Sequence, residues 1–314
     1  MHITDKLYNK KWGVFNHYLN FETEDGDPDW SKRIDGIDVE KMAYNLNKIG
    51  AGYYFITLMQ GTKYLLSPNR TYESIMGVEP GDITPKRDVI IDLYNELSKY
   101  DIDLYLYFTG DGPHMDANGC KKFGFSYDGN EIWPEGCSKA VPLMGEKAVN
   151  KEFVQKWASV LQEYAERYGD KICGWWLDGC YSFFGYNNEL LKIYYDAIKA
   201  GNPKALVAFN SGVFHETRKW YENEEFTAGE FNDFTYIPKE RFVDGAQNHI
   251  LAPLGRKEPG HGQGWANSGA IHDREYMKNY INQVNRNGGV VTVDIKVYAD
   301  GSFDPEQMDV LMLR

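Results

Sequence analysis

Residues 38–58 read DVEKMAYNLNKIGAGYYFITL, and this stretch holds one complete α/β unit. Val39, Met42, Ala43, Leu46 and Ile49 share one helix face, Gly50 suits the C-cap, and the aromatic and β-branched run Tyr53–Leu58 reads as a buried strand. The same arrangement repeats along the chain. Helical patterns RDVIIDLYNELSKY, KEFVQKWASVLQEYAERYG, NNELLKIYYDAIKAG and DREYMKNYINQVNRNGG alternate with strand-like runs at Trp12–Tyr18, Leu104–Thr109, Ile172–Asp178, Leu206–Asn210, Phe226–Glu230, Gly245–Leu251 and Gly289–Ile295. Eight such units in 314 residues predict an α/β fold of one domain, a single (β/α)8 barrel of TIM type over residues 1–314. A doubly wound sheet would have fewer strands and a Gly-rich phosphate loop, and neither GxGxxG nor GxxxxGKS/T occurs.

Composition narrows the function classes. The chain is 42% hydrophobic and 25% charged, as expected of a globular protein with a full core, and no Pro/Gly/Ser-rich linker or internal repeat divides it. Lys and Arg number 34 against 46 Asp and Glu, a net charge of −12 that opposes phosphate backbones and anionic membrane surfaces, so neither a nucleic acid nor a membrane is expected as partner. The first residues, MHITDKLYNKKWGVF, lack the apolar core of a secretory signal; the location read from the sequence is cytoplasmic, with export requiring a leader removed from it. Four cysteines without CxxC spacing are read as reduced thiols, with a Cys120–Cys137 bridge as the alternative, and seven scattered histidines give no metal site.

A barrel does its chemistry where the strands stop, which here brings in His17, Met59, Gln60, Asp111, Asp178, Asn210, Glu230, His249 and Asp294. Aromatic residues crowd the same places, among them Trp175, Trp176, Tyr181, Phe183, Phe184 and Trp265, and aromatic faces stack on the apolar faces of sugar rings. An acidic, aromatic-lined mouth suits a glycoside hydrolase, which needs one carboxyl to attack the anomeric carbon and one to protonate the leaving oxygen. Asp178, in GWWLDGC, and Glu230, in FTAGEFND, are the candidate pair. Pattern alone also allows Asp178 to cap the next helix and Glu230 to be a solvated loop acid. Asp111 reads as a turn residue or a third acid, Asp294 as an inward hydrogen-bonded residue, and His17 as a sugar contact or a structural histidine.

These strings resemble, in the same order over nearly the whole chain, those of the α-L-fucosidases of glycoside hydrolase family 29. KWGVFNHY resembles the family's first-strand motif, DVEKMAYNLNKIGAGYYFITLMQGTKYLLSPN its helix, strand and substrate loop, GWWLDGC its nucleophile strand, and GWANSGAIHDREYMKNYINQVNRNGGVVTVDIKVYADGSF its closing pattern. The resemblance implies a retaining, exo-acting hydrolase of a terminal fucose or related sugar. Asp178 would be the nucleophile and Glu230 the acid/base, with His17 and Trp176 in the sugar subsite and no cofactor. Asn210, His249 and Trp265 join the expected carbohydrate contacts.

The departures fall in the sugar site. Where the family has two histidines after the second strand, this chain has Met59 and Gln60, with Lys63 beyond them; the fifth-strand arginine is replaced by the Asn210–Ser211 run, and no counterpart of the family's C-terminal β-domain is expected. Gln60 and Lys63 are therefore expected to take part in reading the sugar, which leaves two alternatives to fucose hydrolysis: a non-hydrolytic carbohydrate-binding barrel and a hydrolase of a different glycan.

Overall fold

Alternation along each strand decides which side chains meet inside the sheet. The structure is a computed structural model describing residues 2–18, 29–125, 149–258 and 263–313. Its strands are β1 (Trp12–Asn16), β2 (Tyr53–Thr57), β3 (Asp103–Thr109), β4 (Ile172–Asp178), β5 (Leu206–Phe209), β6 (Phe242–Val243), β7 (Ala246–Gln247), β8 (His249–Pro253) and β9 (Val290–Asp294). Seven of them form one parallel sheet in the order β5-β4-β3-β2-β1-β9-β8.

One set of alternate residues, including Phe15, Phe55, Tyr105, Tyr107, Trp176, Ala208, Phe226 and Leu251, forms an inner cluster. The other set, including Val14, Ile56, Leu106, Trp175, Val207, Ile250 and Val291, packs outward against helical residues such as Met42, Leu46, Trp157 and Tyr194. Leu206 and Ala208 from one end of the sheet and Leu251 from the other share the inner cluster with Phe226 and Ala228, so the sheet is curled round on itself. Helices begin at side-chain caps, as where Asp38 accepts from Lys41 N, Asn187 from Leu190 N and Asp273 from Tyr276 N.

The expected strand Phe226–Glu230 is not a ladder member. It makes two isolated parallel bridges, Phe226 to Gln247 and Glu230 to Leu251, and meets β5 through Glu225 N donating to Val207 O at 3.1 Å. The β5 amides that a neighbouring strand would engage are taken by carboxylates instead: Val207 N donates to Glu225 Oε2 at 2.9 Å and Phe209 N to Glu224 Oε2 at 3.1 Å. The run expected at Gly245–Leu251 also divides. Asp244 and Gly245, both at positive φ, make a tight hairpin turn between β6 and β7, and the barrel strand starts only at His249.

Cys137, half of the possible disulfide, lies outside the described residues. Asn69, which opens the Asn-Arg-Thr glycosylation sequon of residues 69–71, is buried, with its Nδ2 donating to Val160 O and its Oδ1 capping Tyr72 N, which keeps it from a glycosyl carrier. No helix among the described residues is long and apolar enough to cross a membrane.

Candidate active site

Asp178 closes β4 two residues beyond Trp176, so its carboxylate points to the interior at the strand's C-terminal end. Three donors converge on it: Tyr107 OH reaches Oδ2 at 2.6 Å, and Tyr181 OH and Asn210 Nδ2 reach Oδ1 at 3.2 and 2.8 Å. The same Asn210 nitrogen lies 2.5 Å from Glu230 Oε2. Asn210 is held in that orientation because its own Oδ1 accepts from Gly212 N at 3.0 Å, which fixes the amide nitrogen toward the acids. Two carboxylates on one nitrogen have facing oxygens no farther apart than the sum of those two bonds. Burial first, and the neighbouring Asp178 second, raise the Glu230 pKa well above the carboxylate range, while the Asn210 bond opposes the shift.

Each acid adjoins a glycine at which a side chain would be strained. Gly179 has φ of 67°, and a Cβ there would meet Asp111 Cγ at 2.6 Å; Gly229 has φ of 59°, and a Cβ would lie 1.8 Å from His249 O. Asp111 is thus packed beside Asp178 as a third acid at the rim, itself buried, bonded by Thr109 Oγ1 and 3.1 Å from His114 Nδ1. Burial pulls the His114 pKa down, but the Asp111 charge and hydrogen bond, with Gly112 and Asp178, together outweigh it and the net shift is upward.

His17 donates Nδ1–H to Asp294 Oδ1 at 2.8 Å, and Ala266 N holds Asp294 Oδ2 at 2.8 Å. Trp265 meets the His17 ring edge-on at 5.6 Å, and Ala266 after it sits at φ 56°, a left-handed position uncommon outside glycine. Trp176 stacks on Tyr107 at 5.4 Å and donates Nε1–H to Ala228 O, making the floor beneath Asp178.

The structure therefore brings Asp178, Glu230, Asn210, Trp176 and, through Tyr107, His17 and Trp265 to one end of the sheet. It places four others differently. His249 begins β8 rather than ending it, and its nitrogens are used by Thr227 O at 3.0 Å and Thr292 Oγ1 at 2.7 Å. Burial drives its pKa down to about 4, leaving a neutral core histidine. Met59 is buried, its Sδ accepting from Gly61 N, and Lys63 lies over Tyr64 with Nζ 5.4 Å from the ring centroid. Gln60 stays outside the carboxylate network, with a buried Oε1 that has no protein partner among the described residues. The sequence reading passed over Tyr107, although the alternation in DLYLYFT puts it on the inward face, and over His114, whose ring packs on Gly61 in the second-strand loop.

With a curled parallel sheet, acids at its C-terminal rim and aromatic walls in place, comparison with solved structures is informative. The chain shares its fold with solved glycoside hydrolases. An endo-fucoidan hydrolase of glycoside hydrolase family 107 superposes with a TM-score of 0.68 at 15% identity, covering 97% of this chain and 91% of that one. A second family-107 endo-fucoidan hydrolase gives 0.73 at 15% identity over 99% of this chain and 53% of its own. An α-L-fucosidase variant in complex with Fucα(1,6)GlcNAc gives 0.63 at 15% identity, covering 99% and 96%. No family model matches the sequence, and no curated protein matches it. Among the described residues no group of three or more His, Cys, Asp or Glu is placed to hold a metal ion.

Proposed function

We propose that the chain is a retaining glycoside hydrolase built on a (β/α)8 barrel, resembling the α-L-fucosidases of family 29 and exo-acting on a terminal fucose or a related sugar. The observation that carries this reading is the single Asn210 nitrogen bonded to both Asp178 and Glu230. The two bonds cap the separation of the facing oxygens at a length that does not exceed the roughly 5–5.5 Å of retaining enzymes and falls short of the roughly 6.5–9.5 Å that leaves room for an inverting water.

The roles follow from the surroundings. Asp178 is offered three hydrogen-bond donors and attacks the anomeric carbon as the C–O bond to the leaving group breaks. Glu230, whose proton is held by burial and by Asp178, passes that proton to the leaving oxygen. Water then attacks the glycosyl ester, Glu230 takes its proton, and the released sugar frees the Asp178 carboxylate. Tyr107 and Tyr181 position Asp178, and His17 and Trp265 line the sugar side. The fold likeness to fucose-active hydrolases favours fucose, while the second-strand loop, with Met59 turned back on Gly61 and His114 as its imidazole, favours a related but different sugar.

A panel of aryl α- and β-glycosides, α-L-fucoside included, assayed with wild type and Asp178→Ala, tests the reading. Turnover of one member, lost by about 10⁴-fold or more in the variant, is expected. No turnover of any member alongside tight sugar binding would favour a carbohydrate-binding barrel instead.

A further inference from the structure

Beside Glu230 the rim opens into a pocket lined by Asn210, Ser211, Phe214, Glu216 and Arg218 among others. Arg218 is unusual there. Its Nε and Nη2 donate to Ser211 Oγ at 3.2 and 2.8 Å, and its guanidinium lies 3.4 Å over the Phe214 ring and 5.3 Å from Trp220. No carboxylate lies within ion-pair distance of it among the described residues, in a chain with 46 acids against 34 basic residues. Glu216 lines the pocket from an exposed position, and buried Glu224 turns both oxygens to backbone amides instead. The Ser211 bonds use Nε and Nη2, and the planar fork retains Nη1 for a further acceptor.

The neighbouring surface is aromatic. Phe214 and Phe183 are exposed, Phe183 stacks on Tyr181 at 5.0 Å, and Gly212 separates Phe214 from Tyr181. Exposed rings at the mouth of a pocket suit a sugar face, and a guanidinium anchored over a ring with donors to spare suits an anionic oxygen pair.

We infer that Arg218 forms an anion subsite on the leaving-group side of the pocket, for a sugar bearing a carboxylate or a sulfate ester. The placement on the leaving-group side rests on the reading of Glu230 as the acid/base; the anion preference does not. Lys63, in the second-strand loop, is not part of this subsite.

NMR titration of the whole chain with galactose, galacturonic acid and galactose 6-sulfate tests it, against Arg218→Gln and Arg218→Lys. At least one anionic sugar is expected to bind wild type about tenfold or more tighter than galactose. Which of the two does so identifies the carboxylate or the sulfate ester. In Arg218→Gln, which keeps a donor for Ser211, the ratio falls to about one. Should that variant not fold, Arg218→Lys decides: it keeps the charge but loses the fork, and the preference drops several-fold. Equal binding of all three sugars by wild type, or a preference unchanged in the folded variants, overturns the inference. Aryl-glycoside turnover is scored separately, so a failed hydrolase reading with an intact anion preference is distinguishable from the reverse.

Discussion

Glu224 and Glu230 stand six residues apart, Glu224 buried and Glu230 half-buried, and desolvation raises the pKa of each, to about 8 for Glu224. Their partners separate them. Glu224 accepts from Trp220 N at 2.5 Å and Phe209 N at 3.1 Å, so it serves as a splice between the β5 edge and the following loop. Glu230 faces a second carboxylate across an asparagine and borders an open pocket. A displaced pKa is thus no signature of catalysis by itself; what distinguishes the rim from the seam is a second acid and room for a substrate.

The largest expected effect belongs to the rim. Glu230→Ala, which vacates the face opposite Asp178, should regain turnover with added azide, and Glu230→Gln should lower turnover of the accepted glycoside by about 10²–10⁴-fold, least for aryl leaving groups that need no proton. The same substitution sharpens the comparison through stability. Folded Glu230 holds its proton more tightly than the unfolded side chain, so its stabilising contribution is present below the unfolded value of 4.5 and is lost as pH rises toward the elevated folded value. Thermal melts of Glu230→Gln relative to wild type should therefore improve as pH is raised from 4.5 through neutrality. A difference independent of pH would break the assignment of a desolvated acid there.

The seam should respond in the opposite way. Glu224→Ala leaves the Phe209 and Trp220 amides without their acceptor and should cost about 1–3 kcal/mol per orphaned group, seen as a lower Tm, while turnover by the folded protein gains no dependence on azide. A Glu224→Ala protein that melts like wild type but whose lost turnover is restored by azide would exchange the roles of the two glutamates.

Legibility in the sequence follows the same division. Strands β1 to β4 and β9 were readable within two residues at each end, because buried parallel strands are continuous apolar runs and period alone locates them. The side between β5 and β8 was not. A run such as FTAGE carries strand-like residues, yet Gly229 at positive φ and the carboxylates of Glu224 and Glu225 occupying the β5 amides are tertiary facts. The strand-end rule located Asp178 and Asn210 because they end regular strands. It misplaced His249, since the Asp244–Gly245 turn shifts the barrel strand to begin at that residue. It missed Arg218 because that side chain reaches the pocket from an irregular loop, where no period marks a direction.

The most direct test of the Asp178–Glu230 pair is covalent capture. An activated 2-deoxy-2-fluoro analogue of whichever glycoside is turned over slows release of the glycosyl group more than its transfer, and intact-mass and peptide analysis then locate it. The expected result is a mass gain of one fluoroglycosyl group per chain, carried on the peptide containing Asp178 and absent from Asp178→Ala. Turnover of the parent glycoside with no adduct, or an adduct on another residue, would contradict the assignment of Asp178 as nucleophile.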